Sequence, residues 1–333
     1  MPPKLRRILV TGGAGFIGSA FIRFGLKEID GLEKIVNLDL LTYAGNLRNL
    51  QNIEKDARYR FIRGNILNGA LIEEICRKHD IETIVHFAAE SHVDRSIKNP
   101  KSFYETNVLG TINLLELVRR LPEIHFHHVS TDEVYGSIAR GQVSEGAPYS
   151  PNSPYAASKA ASDHFVRAYT KTYRLSTTVS HCTNNYGPYQ YPEKFIPRMI
   201  YGCLMRRELP IYGKGMNCRD WLYVEDHVEA IWMILQHLEP GKIYNIGAGC
   251  EKKNLDLLHL LIEKIAEVQN ERPEIYRPLI RFVEDRPGHD ERYALDCAKI
   301  QKELGWRPRT SFDQGLEKTI HWYLENREFY DGI

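Results

Sequence analysis

Tyr155 and Lys159 close the run Tyr155-Ala156-Ala157-Ser158-Lys159, a spacing that sets a phenol and an ammonium on one face of a helix. Ser153 and Pro154 just before them suit a helix cap and first turn. An alcohol that surrenders hydride must also lose its hydroxyl proton. A tyrosinate takes that proton near neutral pH only if a neighbouring cation depresses the phenol's pKa, and Lys159 is the expected cation. Upstream, Thr131-Asp132-Glu133 ends an apolar run. Once C4 of a hexose is a ketone, its C5 proton is acidified and its C6 hydroxyl can leave, so a base and an acid are wanted side by side. Two adjacent carboxyls can fill both roles, because their repulsion drives the two pKa values apart. Neighbours within a strand point to opposite faces, so both serve one substrate only if the chain leaves the strand here, as Tyr135-Gly136 suggests. Away from such neighbours the same pair reads as a solvated acidic turn.

A second constellation could hold a cofactor. Thr11-Gly12-Gly13-Ala14-Gly15-Phe16-Ile17-Gly18 follows a short β-branched run and opens a helical pattern, with Gly12, Gly15 and Gly18 in G-x-x-G-x-x-G spacing. Glycines there bring backbone N–H groups and a helix N-terminus against a pyrophosphate. Asp39 ends the next strand, 21 positions after Gly18, where a carboxylate accepts hydrogen bonds from ribose hydroxyls and repels a 2′-phosphate. Leu40 and Leu41 follow it, which favours NAD; Arg48 lies near enough to leave NADP open.

These groups need a scaffold. Ile8 to Val10, Lys34 to Asp39, Tyr59 to Arg63, Glu82 to Phe87, His125 to Ser130 and Ser176 to His181 read as strands, with helices at Phe16 to Glu28, Leu71 to Lys78, Phe103 to Arg120 and Pro154 to Tyr173. That alternation implies an α/β, Rossmann-type, doubly wound parallel sheet, with ligands at the carboxyl ends of its strands. After Tyr186 the rhythm breaks in a Pro, Gly and aromatic-rich stretch, and helices follow near Val224 to His237, Leu255 to Val268, Cys297 to Leu304 and Phe312 to Glu325. The expectation is a dinucleotide-binding domain over 1–186 and a smaller C-terminal α/β substrate lobe over 187–333, with some chain crossing between them.

With 44 Lys plus Arg against 43 Asp plus Glu in 333 residues, no net field recruits nucleic acid or an anionic membrane, and the partner is expected to be small. Six scattered cysteines fit neither a disulfide framework nor a zinc site, so a cytoplasmic location is expected. Met1 to Arg7 is basic and runs into Ile8 to Val10, but glycines interrupt the apolar run a signal peptide needs. His125, His127 and His128 could suggest a metal; residues 125 and 127 share a strand face away from 128, so a structural role is expected and no metal. Phe103 to Arg120 and Pro154 to Tyr173 are long and apolar-striped, as sheet cover or as a shared dimer face.

The sequence resembles the extended short-chain dehydrogenase/reductase superfamily and, within it, the dTDP-glucose 4,6-dehydratases. Blocks in order from about Arg7 to Asn326 carry this resemblance: TGGAGFIGS, LTYAGN (41–46), AAESHVDRSI (88–97), STDEVYG (130–136), YAASK, NNYGPYQYPEKFIP (184–197), RDWLYVEDH (219–227), KKNLD (252–256) and DRPGHDERYA (285–294). The Thr-Asp-Glu signature separates that family from sugar epimerases and decarboxylases, which lack the Asp-Glu pair. The resemblance implies that Tyr155 takes the C4 hydroxyl proton with Lys159 in support, Glu133 removes the C5 proton, Asp132 protonates the departing C6 hydroxyl and Thr131 orients the sugar. It implies a bound NAD that is reduced and reoxidised within each turnover, giving a 4-keto-6-deoxy product. Around NAD it places Phe16, Ile17, Asp39, Thr42, Asn65, Ile66, Ala88, Ala89, Ser91, Thr106 and Asn185, besides the glycines, Tyr155 and Lys159. Around dTDP-glucose it places Ser91, Thr131, Asn184, Lys194, Phe195, Pro210, Tyr212, Arg219, Asn254, Arg286 and His289, with Arg219 and Arg286 as physically sensible phosphate partners. A homodimer through the two long helices is implied as well. A UDP-sugar dehydratase would use the same catalytic residues, and a non-catalytic NAD-binding sensor would not need them. Three positions depart from the family: Asn65 stands for a usual aspartate, Leu40 for a common lysine and Cys250 for a frequent asparagine.

Overall fold

A computed structural model describes residues 5–330. The first four and last three residues, which hold the outer ends of both expected lobes and the start of the basic Met1 to Arg7 stretch, lie outside the described residues.

Seven parallel strands form the main sheet. Their spatial order is Ile243–Ile246, Thr177–Cys182, His125–Thr131, Thr83–His86, Arg7–Thr11, Lys34–Asp39 and Tyr59–Arg63. From Arg7–Thr11 the chain winds outward to Tyr59–Arg63, then returns to Thr83–His86 on the other side. The order therefore reverses between Arg7–Thr11 and Thr83–His86, and a crevice opens at the carboxyl ends there. Alternation along the strands feeds two cores: Ile8 and Val10 pack with Phe21, Ile35 and Trp232 on one face, while Leu9 packs with Val36, Ile84 and Leu114 on the other.

The sheet's seventh strand comes from beyond residue 186, and so does helix Val224–His237, whose Trp232 stacks on Phe21 with ring centroids 4.4 Å apart. A second, smaller group of elements packs beside it. Its three-stranded sheet runs Glu251–Lys253, Cys218–Tyr223 and Asn184–Tyr186, and Leu209–Tyr212 pairs in parallel with Ile280–Val283. Helices Phe195–Leu204, Asn254–Gln269 and Phe312–Glu325 cover these strands around a core of Tyr186, Met199, Trp221, Leu257 and Leu316.

The long helix expected from Phe103 starts at Lys101 and contains a wide π turn, Tyr104–Leu109. Within that turn Asn107 is buried and donates to Ser158 Oγ at 2.8 Å, and Ser158 Oγ donates to Tyr155 O at 2.7 Å. A helical defect of this kind frequently marks a functional site. Here it clamps the helix that carries Tyr155.

Candidate active site

The nucleotide cradle follows from glycine geometry. Gly12 has φ +73°, and a Cβ there would fall 2.5 Å from Ala88 N; a Cβ on Gly18 would fall 2.4 Å from Gly12 O. Only glycine lets the two strand ends and the helix approach this closely. Helix Phe16–Glu28 begins at Gly15 with no side-chain cap and no acid in its first turn, so its leading N–H groups face the crevice unpaired by side chains. Asp39 Oδ2 accepts from Ala14 N at 2.9 Å and Oδ1 from Leu41 N at 2.8 Å, and burial pushes its carboxyl up. Each oxygen keeps a lone pair for a ribose hydroxyl.

A cavity of about 330 Å³ runs along this cradle. Gly12, Gly15, Phe16, Ile17, Gly18, Asp39, Thr42, Asn65, Ile66, Ala88, Ala89, Ser91, Thr106 and Asn185 line it, together with Thr131, Asp132, Glu133, Tyr155 and Lys159. The expected cofactor positions are thus brought together with the expected chemistry. An uncapped helix N-terminus, a glycine approach and an acid at the second strand end fit a dinucleotide without a 2′-phosphate. Arg48 is exposed and is not among the lining residues. Asn65 reaches the cavity wall with Oδ1 accepting from Leu67 N at 2.9 Å.

Strand His125–Thr131 delivers the acidic pair. Thr131 caps a 3₁₀ turn, Asp132–Tyr135, and its Oγ1 accepts from Glu133 N at 3.3 Å. The chain leaves the strand at this point, so both carboxyls reach the cavity. Thr131 Oγ1 donates to Asp132 Oδ1 at 3.2 Å, while Oδ2 is buried with no partner among the described residues. Burial, then the Glu133 charge, holds the Asp132 carboxyl well above the usual carboxylate range. Burial raises Glu133 too, but Arg219, Lys194 and Arg286 oppose it. Arg219 opposes the rise at both carboxyls, whereas Lys194 and Arg286 oppose it at Glu133, an asymmetry that favours Asp132 as the group that holds the proton.

Helix Pro154–Tyr173 starts as expected, with Ser153 Oγ accepting from Ala156 N at 3.0 Å and proline in the first turn. Tyr155 and Lys159 share its cavity-facing side, and the phenol expected to be depressed is raised. Lys159 Nζ donates to Val129 O at 2.8 Å and lies 3.3 Å from His128 Nε2. Burial, then the Glu133 charge, raises the Tyr155 phenol, against a lowering hydrogen bond from Thr131. Burial in turn pulls the Lys159 ammonium down to about 8.

A second cavity, about 170 Å³, adjoins the first at Ser91, Glu133, Asn184, Glu193 and Lys194. Phe195, Pro210, Tyr212, Arg219, Asn254, Arg286 and His289 line it as well. Thr131 lies on the first cavity's side of the junction. Arg219 donates to Asp290 O at 2.9 Å and sits over the Tyr293 ring. Arg286 pairs with Asp94 at 3.1 Å and lies over Tyr212; Lys194 Nζ donates to Ser91 O at 2.8 Å. His289 Nδ1 lies 2.6 Å from Asp285 Oδ1. Two arginines and a lysine around one small cavity suit a diphosphate. Sequence reasoning missed Glu90, Gln190, Tyr191 and Glu193 in the first cavity, and His92, Arg198, Trp221 and Tyr293 in the second. Most fall within or beside blocks quoted above, yet no local spacing marks them.

The histidines are structural contacts: His125 bonds Ser176 and Thr178, and His127 bonds Thr178 and Ser180. Among the described residues no group of three or more His, Cys, Asp or Glu could hold a metal.

Comparison with known proteins sharpens this picture. Residues 9–319 match the family model described as GDP-mannose 4,6 dehydratase. A dTDP-glucose 4,6-dehydratase of Escherichia coli is 47% identical, with 98% of this chain and 96% of that one covered. The structure of the dTDP-glucose 4,6-dehydratase of Streptomyces venezuelae, with NAD and TDP bound, superposes with a TM-score of 0.92 at 46% identity, covering 98% and 99% of the two chains. A UDP-glucuronic acid 4-epimerase of Bacillus cereus, in complex with its substrate and NAD, reaches 0.87 at 28% identity, covering 96% and 99%. Fold alone therefore does not distinguish epimerisation from dehydration.

Proposed function

Because the chain belongs to the dTDP-glucose 4,6-dehydratase family of extended short-chain dehydrogenases/reductases, we infer that it is an NAD-dependent hydro-lyase that converts dTDP-glucose to dTDP-4-dehydro-6-deoxy-glucose. One observation carries the choice of dehydration within this fold. Asp132 and Glu133 leave the strand end together and both line the first cavity, with burial holding Asp132 well above its usual range while Arg219, Lys194 and Arg286 oppose the rise at Glu133.

The glycine cradle and Asp39 would hold NAD, which when bound would supply reversible hydride transfer at the sugar. The protein groups divide the proton work. Tyr155 takes the C4 hydroxyl proton. Lys159, fixed on Val129 O, supports it from the cavity wall. Glu133 then takes the C5 proton, and Asp132 delivers its proton to the departing C6 hydroxyl, which leaves as water. Arg219, Arg286 and Lys194 hold the diphosphate, and Thr131 orients the hexose between the phenol and the acid. With the sugar clamped in this way, Glu133 and Asp132 act on adjacent carbons without the substrate moving.

We also propose a homodimer. Tyr104, Leu109, Phe165 and Tyr173 are large exposed apolar side chains on the two long helices, which pack against each other. Continuing both helices into a second copy would bury them. Free thiols at all six cysteines support a reducing compartment, and we place the protein in the cytoplasm.

Incubation with dTDP-glucose, UDP-glucose and GDP-mannose, with product identification, tests the function. A 4-keto-6-deoxy product from dTDP-glucose is expected; its absence while the UDP sugar is dehydrated would reassign the substrate, and its absence throughout would refute the dehydratase reading.

A further inference from the structure

A buried acid lies behind Lys159. Asp163 stands at the next i, i+4 position of helix Pro154–Tyr173, and both side chains are on its buried face, each 4% exposed. Asp163 Oδ2 accepts from Ser130 Oγ at 2.9 Å and lies 3.1 Å from His181 Nε2, while Oδ1 lies 3.2 Å from His128 Nε2. That same His128 nitrogen is 3.3 Å from Lys159 Nζ, so the two opposite charges are at most about 6.5 Å apart.

The histidine between them has a defined job. Burial pulls His128 down to about 4, so it is neutral near pH 7, and its Nδ1 has no partner among the described residues. Its Nε2 lies between Asp163 Oδ1 at 3.2 Å and Lys159 Nζ at 3.3 Å, so the ring bridges the two charges, and Val129 O anchors the ammonium.

We propose that Asp163 is a positioning residue for Lys159, a buried negative charge that keeps the ammonium protonated and anchored at the strand beneath the catalytic helix. This rests on the reading of Lys159 as part of the catalytic set. The titratable groups facing Lys159 are His86 from Thr83–His86, His128 from His125–Thr131, Cys182 from Thr177–Cys182, and Tyr155 and Asp163 on its own helix; His181 faces Asp163. Burial keeps His86 and His128 neutral and pushes the thiol of Cys182 up to about 12 and the phenol of Tyr155 well up. Burial would raise Asp163 as well, but its hydrogen bonds with His128 and His181 outweigh that effect, and it stays ionised. Of these groups Asp163 is therefore the charged one. It is also the leading opponent of the burial that draws Lys159 to about 8. Across at most about 6.5 Å, at an effective dielectric of ~20, its attraction is equivalent to roughly two pH units on Lys159.

The sign is definite. The active ammonium is lost as pH rises through its pKa, so the wild-type kcat profile should fall on an alkaline limb near 8. In Asp163→Asn that limb should move down by about one to two units, with KM for dTDP-glucose changed little. Tyr149→Phe removes a hydroxyl 3.0 Å from His181 Nε2 without changing charge, and should leave the limb in place. A folded Asp163→Asn protein with an unmoved limb, beside an active wild type, would overturn the inference and leave the dehydratase reading intact. A wild type that makes no 4-keto product would overturn that reading itself. If Asp163→Asn is too unstable for kinetics, the double variant Lys159→Met/Asp163→Asn should melt above it, because the uncompensated ammonium is gone. A double variant that melts no higher refutes the charge pairing.

Discussion

Replacing Asp132 by Asn keeps the side chain's shape and removes its dissociable proton. In the wild type Thr131 Oγ1 donates to Oδ1, which leaves the acid proton on Oδ2, the buried oxygen without a partner among the described residues. An amide nitrogen in that position can hydrogen-bond the C6 hydroxyl but cannot hand it a proton. Losing a positioned general acid costs about 10²- to 10⁴-fold, which is roughly 3 to 5 kcal/mol on the elimination barrier. Oxidation at C4 depends on Tyr155 and Lys159, so it should change by less than about tenfold. Elimination then becomes rate-limiting, and reduced cofactor should accumulate on the enzyme in a single turnover, read by its near-ultraviolet absorbance in stopped flow. Stability provides an independent check. Burial raises the folded-state pKa of Asp132, so its ionisation opposes folding once the pH exceeds the unfolded value. Asn carries no such charge, so the variant should melt no lower than wild type near neutrality, with an advantage that grows as pH rises toward the folded pKa. Cofactor that never becomes reduced, with slowed C4 oxidation, would refute the assignment of Asp132 to the later step.

Tyr155→Phe should behave oppositely: oxidation itself should slow by about 10²-fold or more, and no reduced cofactor should build up after rapid mixing with substrate. Stalling of both variants at one step would contradict the division of roles. Gly12→Ala forces a Cβ to within 2.5 Å of Ala88 N at φ +73°; a cost of at least about 1 to 3 kcal/mol is expected, seen as a lower melting temperature and as loss of co-purifying NAD. Phe165→Glu places charge on the exposed face of helix Pro154–Tyr173, and light scattering should report monomers in place of dimers; an unchanged mass would place the interface elsewhere.

Most of the doubly wound sheet was legible because alternating β and α patterns are local. The expected second and third helices needed only small changes at their ends: Leu71 to Lys78 begins at Gly69, behind an Asn68 cap, and the helix from Phe103 begins at Lys101. The seventh strand, Ile243–Ile246, was not legible, because four residues carry too little pattern to reveal that they return to a sheet left behind at Cys182. The π turn at Tyr104–Leu109 was also hidden: its cause is the buried Asn107 bonded to Glu90 and Ser158, partners distant in sequence.

The sequence by itself determined the set of reacting groups: a glycine turn before a helix, an acid after the second strand, a phenol and an ammonium one turn apart, and two adjacent carboxyls. Those depend on residue type and short spacing, which backbone geometry translates directly. Tertiary structure alone decided their states. Burial holds the Asp132 carboxyl well above the usual range, while Arg219, Lys194 and Arg286, distant in sequence, oppose the rise at Glu133. Lys159 is held by Asp163 and Val129, the opposing charge and the acceptor that the fold places behind it. Desolvation and long-range charge are properties of the assembled interior, and no window of sequence contains them.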